Sequence, residues 1–207
     1  MKLEYNQRLC LVGFTGSGKT ELVRHILAHP VLNRILVIDP KHTFKADGFR
    51  IKNRLPLNNQ FKIIFRPDPG NEDKLILLLH ECFRRGRILV YVDELSTLAD
   101  FFPGATERLT DLVRTGREKG VGVWCSMQRP RNTPRVFLSE SEAFIIFGLR
   151  LQEDRDYIGG FVGNEIFNFR LPRFGFWFVR DDLPPEALTL ALGESKLKRV
   201  KPIEGGF

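Results

Sequence analysis

Gly13-Phe14-Thr15-Gly16-Ser17-Gly18-Lys19-Thr20 matches the pattern GxxxxGK[ST] at every fixed position. Ahead of it, Arg8-Leu9-Cys10-Leu11-Val12 is a short apolar run that reads as a buried strand. Behind it, Leu22, Val23, Ile26 and Leu27 recur at helical spacing. Strand, glycine loop and helix is the context this pattern needs. The three glycines let the backbone turn sharply, so that successive N–H groups point at phosphate oxygens. The helix that opens near Lys19 adds its positive dipole end. Gly13 to Glu21 is therefore expected to hold a nucleotide's polyphosphate. Lys19 would bridge the β- and γ-phosphates, and the Thr20 hydroxyl would ligate Mg²⁺.

A second strand of the same kind carries the other half of such a site. Ile88-Leu89-Val90-Tyr91-Val92 leads into Asp93-Glu94. A parallel strand buried on both faces delivers its C-terminal carboxylates to the crevice where phosphates lie. Asp93 is expected to hold Mg²⁺ through water and Glu94 to act as general base on the attacking water. Further apolar runs, at Arg34 to Asp39, Lys62 to Arg66, Val121 to Met127 and Ala143 to Gly148, read as strands. Amphipathic segments between them read as helices, one of them capped by Asn71. Ser96 to Gly104, with Phe101-Phe102, reads as a loop whose phenylalanines are either buried or a subunit contact. A helix opens at Thr106. Leu151 to Ile158 reads as a short acidic helix, and Phe169 to Val179 as a hairpin at the sheet edge. The expectation is an α/β fold, a three-layer core with a mostly parallel sheet, in one domain over 1–207. Its core runs from about 8 to 180, and 181–207 form a basic extension that is a solvated end or a nucleic-acid arm.

With 207 residues, 43% hydrophobic and 28% charged, the chain has the composition of a soluble globular protein. No apolar run reaches membrane-spanning length and no signal peptide is read, so the protein is expected to stay in the cytoplasm where it is made. The net charge of +7 favours an acidic partner, nucleic acid above all. Cys10, Cys82 and Cys125 lack metal-ligand spacing and read as reduced core residues.

Arg117-Glu118-Lys119-Gly120 through Ser126-Met127-Gln128-Arg129-Pro130 resembles a signature of the FtsK/HerA superfamily of DNA-pumping ATPases, as does the strand ending Asp39-Pro40-Lys41. The stretch Asp39-Pro40-Lys41-His42-Thr43-Phe44 and the small size resemble the genome-packaging ATPases of tailless icosahedral viruses with an internal membrane. The resemblance covers about residues 8 to 180. It implies a RecA-like (ASCE) core in which the Gln128 strand lies between the phosphate-loop strand and the Asp93-Glu94 strand, with Gln128 sensing the γ-phosphate. Arg117 matches the family's arginine finger, given to a neighbouring subunit; Arg114 is the alternative on the same helix. The implied cofactors are ATP and Mg²⁺. The implied partners are double-stranded DNA, copies of the chain in a hexameric ring, and capsid-vertex or membrane proteins in the host cytoplasm and virion. Lys41, Lys45, Arg129, Arg131 and Arg135 are candidate DNA contacts. Other readings are a cellular or plasmid translocase, a small-molecule or nucleotide kinase, and a nucleotide-gated assembly protein. Glu94 beside Asp93 favours activating water over transferring phosphate.

Overall fold

The computed structural model describes residues 1, 3–190 and 197–204. In chain order it forms β1 (Arg8–Val12), α1 (Lys19–Leu27), β2 (Arg34–Ile38), β3 (Arg50–Ile51), β4 (Phe61–Phe65), α2 (Glu72–Arg85) and β5 (Leu89–Val92). Then follow α3 (Leu95–Phe101), α4 (Pro103–Thr115), a 3-10 turn over Gly116–Lys119, β6 (Gly122–Met127), α5 (Arg135–Ser139), β7 (Ala143–Ile146) and α6 (Gln152–Val162). The chain finishes with β8 (Phe169–Arg170), β9 (Gly175–Arg180), β10 (Leu183–Leu190), β11 (Leu197–Arg199) and β12 (Ile203–Glu204).

Ten of these strands make one sheet in the order β11-β10-β9-β7-β1-β6-β5-β2-β4-β3. The seven from β7 to β3 are mutually parallel; β9, β10 and β11 continue the β7 edge in antiparallel pairing. Alternation along each parallel strand explains why the runs are apolar throughout. Leu9, Leu11, Ile35, Val37, Leu89, Tyr91 and Trp124 face α1 and Phe44. Cys10, Val12, Leu36, Ile38, Val90, Val92, Val123 and Cys125 face α2 to α6. Helices thus cover both faces of the central strands β1, β2, β5 and β6, which are buried along nearly their whole length, while the edge strand β3 is exposed. The three cysteines are free and buried, as expected.

Several local expectations are corrected. Ser96 to Phe101 is helical, in α3, and Pro103 takes the first position of α4, where its missing N–H costs nothing. The phenylalanine pair divides between them: Phe102 is 4% exposed and Phe101 68%. Asn71 stands before α2 without capping it, because its side chain bonds Asp68 instead, accepting from the Asp68 N–H at 2.7 Å. Helix α6 runs on through Gly159 and Gly160 to Val162. Gly159 is there for room: a Cβ would collide with the Asn164 side chain. The edge hairpin exists but lies further along, as β9 and β10 joined at Asp181-Asp182, while β8 turns away to pair with β12. Pro184-Pro185 sit within β10 at a register shift between Leu183 and Glu186. Part of the basic extension is therefore sheet: in β11, Arg199 pairs with Glu186 at 2.8 Å. Lys196 lies outside the described residues. Among the described residues, no helix is long and apolar enough to cross a membrane.

Candidate active site

The glycine loop leaves β1 at the C-terminal end of the parallel strands and is stitched to both neighbours. The Gly13 N–H donates to the Met127 carbonyl at the end of β6 (3.2 Å), and the Phe14 N–H to the Gly148 carbonyl beyond β7 (3.1 Å). A Cβ on Gly13 would lie 2.6 Å from that of Phe147, so only glycine lets the loop sit this close. Gly18, at φ 107°, opens α1 in a left-handed conformation and brings no side chain to cap it. The first N–H groups of the helix are thereby left for a ligand.

Lys19 is 7% exposed and folds back under the loop, donating to the Gly13 carbonyl at 2.6 Å and the Phe14 carbonyl at 3.1 Å. Burial pulls its pKa down from 10.5 to about 8, against the opposing pull of Glu94 and Asp93. The ammonium is thus held in a place that only a polyanion would make comfortable.

Across the cleft, Asp93 and Glu94 leave the end of β5. Asp93 is 8% exposed and burial raises its pKa. Tyr91 Oη at 2.8 Å and Ser126 Oγ at 3.2 Å both donate to its Oδ1. Glu94 stands at φ 73°, a conformation costly for a residue with a Cβ, and is fixed there by its N–H donating to Ser126 Oγ at 3.0 Å. Its Oε1 accepts from Ser96 Oγ at 2.8 Å and from the Gln128 N–H at 3.2 Å; its Oε2 lies 3.4 Å from Lys41 Nζ. Gln128 closes the ring, its Oε1 accepting from Thr15 Oγ1 at 2.6 Å. Thr15, Gly16, Gly18, Lys19, Thr20, Glu21, Asp93, Glu94 and Gln128 all line this one polar cleft, about 330 Å³ in volume. Phe14 and Ser17 face an apolar cavity behind the loop.

Ser126, Tyr91 and Ser96 are missed by motif reading. The available signal was a lone hydroxyl in each of two strands that are otherwise apolar. Among the described residues no group of three or more His, Cys, Asp or Glu could hold a metal. A buried carboxylate and the Thr20 hydroxyl on one cleft nevertheless fit Mg²⁺, which takes one or two protein oxygens and fills the rest from phosphate and water.

Arg117 is elsewhere. It lies in the turn before β6, its side chain 64% exposed and paired with Glu142 at 2.7 Å. The rest of that turn and all six residues of β6 lie between it and Gln128, the strand alone spanning roughly 20 Å. Arg114 is exposed at the end of α4. Of the candidate DNA contacts, Lys41 is in the cleft and Lys45 is exposed beyond it. Arg129 pairs with Asp154 at 3.1 Å, Arg131 with Glu153 at 2.6 Å, and Arg135 lies over the Phe161 ring at 5.6 Å. These three are thus gathered along α6, with the side chains of Arg129 and Arg131 still about half exposed.

Gln128 directly follows β6, and β6 lies between β1 and β5. That is the strand order expected of a RecA-like core. No family model matches the chain. It is, however, 32% identical over 163 residues to the DNA packaging ATPase P9 of Enterobacteria phage PRD1, covering 75% of this chain and 70% of that one. The chain belongs to the FtsK/HerA-like family of genome-packaging P-loop ATPases. The same fold occurs in the genome packaging NTPase B204 of Sulfolobus turreted icosahedral virus 2 in complex with AMPPCP. That match has a TM-score of 0.68 and 16% identity, over 89% of this chain and 97% of that one. It also occurs in the pCW3 conjugation coupling protein TcpA with ATPγS, at a TM-score of 0.64 and 16% identity over 87% of this chain and 60% of that one. As a member of this family the chain is an ATP-hydrolysing enzyme.

Proposed function

We propose that this chain is the motor that drives double-stranded DNA into a preformed viral capsid, working as a homo-oligomeric, hexameric ring at a capsid vertex. The observation that carries the hydrolytic part is the convergence of Lys19, Glu94 and Gln128 on one cleft. The packaging part rests on the relationship to the phage ATPase P9.

Lys19 and the N–H groups of the loop hold the β- and γ-phosphates. Thr20 and, through water, Asp93 would hold Mg²⁺, which would neutralise charge gathering on the phosphate oxygens. Glu94 takes the proton of the attacking water, and Gln128, tied to both Thr15 and Glu94, senses whether the γ-phosphate is present. A kinase would have to shield its acceptor from water; here a carboxylate stands where the water would be activated. Arg117 serves a neighbour's nucleotide, a role supported by its exposure and its distance of a strand's length from its own cleft. Lys45 and the arginines beside α6 are offered as contacts to the DNA backbone.

ATP turnover by the purified protein, with and without duplex DNA and alongside its mass in solution, tests this reading. DNA should stimulate turnover in an oligomer, and DNA binding should weaken steeply with salt whatever the sequence, since counterion release would supply most of it. A monomer whose turnover ignores DNA would overturn the motor; a flat salt response would overturn the backbone contacts.

A further inference from the structure

The stretch Asp39-Pro40-Lys41-His42-Thr43-Phe44 leaves β2 beside the cleft, and its backbone is held from within. Asp39 is fully buried. Its Oδ1 accepts from the Thr43 N–H and its Oδ2 from the Phe44 N–H, each at 3.0 Å, and Arg66 Nε pairs with Oδ2 at 3.1 Å. Phe44 is fully buried under the sheet. The backbone around Lys41 is therefore anchored on both sides, while Lys41 itself remains a flexible four-carbon stem. Its side chain is 42% exposed, and its ammonium lies 3.4 Å from Glu94 Oε2, on a carboxylate only 7% exposed. Glu94 Oε1 is already engaged by Ser96 and the Gln128 N–H. Both oxygens of the general base are thus occupied, and the one contact that reaches out into solvent is Lys41.

We propose that Lys41 is a latch on Glu94, closed by this ion pair and opened when a phosphate oxygen captures the ammonium. The inference rests on Glu94 being the base. Closed, the latch denies Oε2 to the attacking water; open, that oxygen is free to accept the water's proton while Ser96 and Gln128 keep the carboxylate in place. Lys41 is then a positioning residue, acting through Glu94. A lysine suits the task because it binds phosphate as a point charge and can swing without disturbing the anchored backbone. The phosphate that opens it is the backbone of duplex DNA arriving from solvent, on the side to which the half-exposed Lys41 reaches; a γ-phosphate that captured the ammonium would leave no closed latch in an ATP-bound subunit.

The test compares the parent with Lys41→Ala, Lys41→Arg and Glu94→Gln, each assayed for ATP turnover with and without duplex DNA. Lys41→Ala should raise kcat without DNA by roughly two- to fivefold, the range such a partly exposed pair is worth, with KM unchanged. Lys41→Arg, whose guanidinium can keep the pair, should stay near the parent. DNA stimulation should be lost in Lys41→Ala, because the duplex then has no latch to open; unchanged stimulation on the raised baseline overturns opening by the duplex. A kcat in Lys41→Ala at or below the parent's overturns the latch, as does a rise in Lys41→Arg equal to that in Lys41→Ala. If Glu94→Gln turns over like the parent, the fault is instead in the assignment of the base.

Discussion

Replacing Lys19 with Met should stabilise the nucleotide-free protein while abolishing its affinity for ATP. Burial takes the Lys19 pKa from 10.5 to about 8, a drop of about 2.5 units worth about 3 kcal/mol of native-state destabilisation at neutral pH. Methionine removes the charge but leaves the Gly13 and Phe14 carbonyls without their donor, which returns about 1 kcal/mol. The balance, about 2 kcal/mol, corresponds to a melting temperature higher by roughly 4–8 °C for a chain of this size. Calorimetry or a fluorescence melt without nucleotide reads it directly. The sign can be checked by pH as well. Below about pH 8 the folded and unfolded parent both carry the charge, and the penalty is complete. Between about pH 8 and 10.5 the unfolded chain retains a proton that the folded chain has released, so this group makes the parent more stable as pH rises. Lys19→Met has no such gain, and the gap between the two should close across that window. The parent's affinity for ATP should fall over the same range, because phosphate needs the charged ammonium. A variant that melts below the parent without nucleotide, or a gap indifferent to pH, would refute the reasoning.

Glu94→Gln keeps acceptors for Ser96 and the Gln128 N–H but loses the base, so ATP should bind normally while turnover drops by roughly 10²–10⁴; a nucleotide titration beside a phosphate-release assay separates the two. Arg117→Ala should cost roughly a thousandfold in turnover with ATP binding intact. Mixed with Lys19→Ala it should regain partial activity, and no recovery in a verified mixed oligomer would place Arg117 outside a neighbour's chemistry. Tyr91→Phe removes one of the two donors to Asp93 Oδ1 from a fully buried position. It should raise the Mg²⁺ concentration for half-maximal turnover by roughly two- to tenfold, the worth of one hydrogen bond; an unchanged Mg²⁺ titration would separate Asp93 from the ion.

The parts of this protein that sequence reading recovers are those whose physics is local. A strand buried on both faces must be apolar throughout, which is why β1, β2, β5 and β6 stand out within a residue or two of their limits. The glycine loop announces itself because its backbone must turn and come close to Phe147. Helix α3 was hidden because seven residues are too few to display a period. Two prolines concealed β10, although at an irregular edge pairing neither is forbidden. The β8–β12 pair joins residues more than thirty apart through two very short strands, and no local pattern marks it. In the cleft, motifs point to Lys19, Thr20, Asp93 and Glu94. The hydroxyl of Ser126 and the ammonium of Lys41 are brought to the carboxylates by neighbouring strands, and only tertiary placement reveals them.

The place of β1 in the sheet has a consequence in time. Its two partners are β6 and β7: Leu9 pairs with Trp124 on one side and Ala143 on the other. On a ribosome, the strand that ends in the nucleotide loop emerges before either neighbour and must wait for both. At ordinary synthesis rates that wait is on the order of ten seconds, long compared with the collapse of a chain this size. Strands β2 and β4, by contrast, can pair while synthesis continues. A nascent chain would therefore bear an unpaired apolar strand at what becomes the centre of the sheet, open to chaperones or to misassembly. The nucleotide site would be among the later parts of the molecule to mature, although its loop is made before either partner of β1.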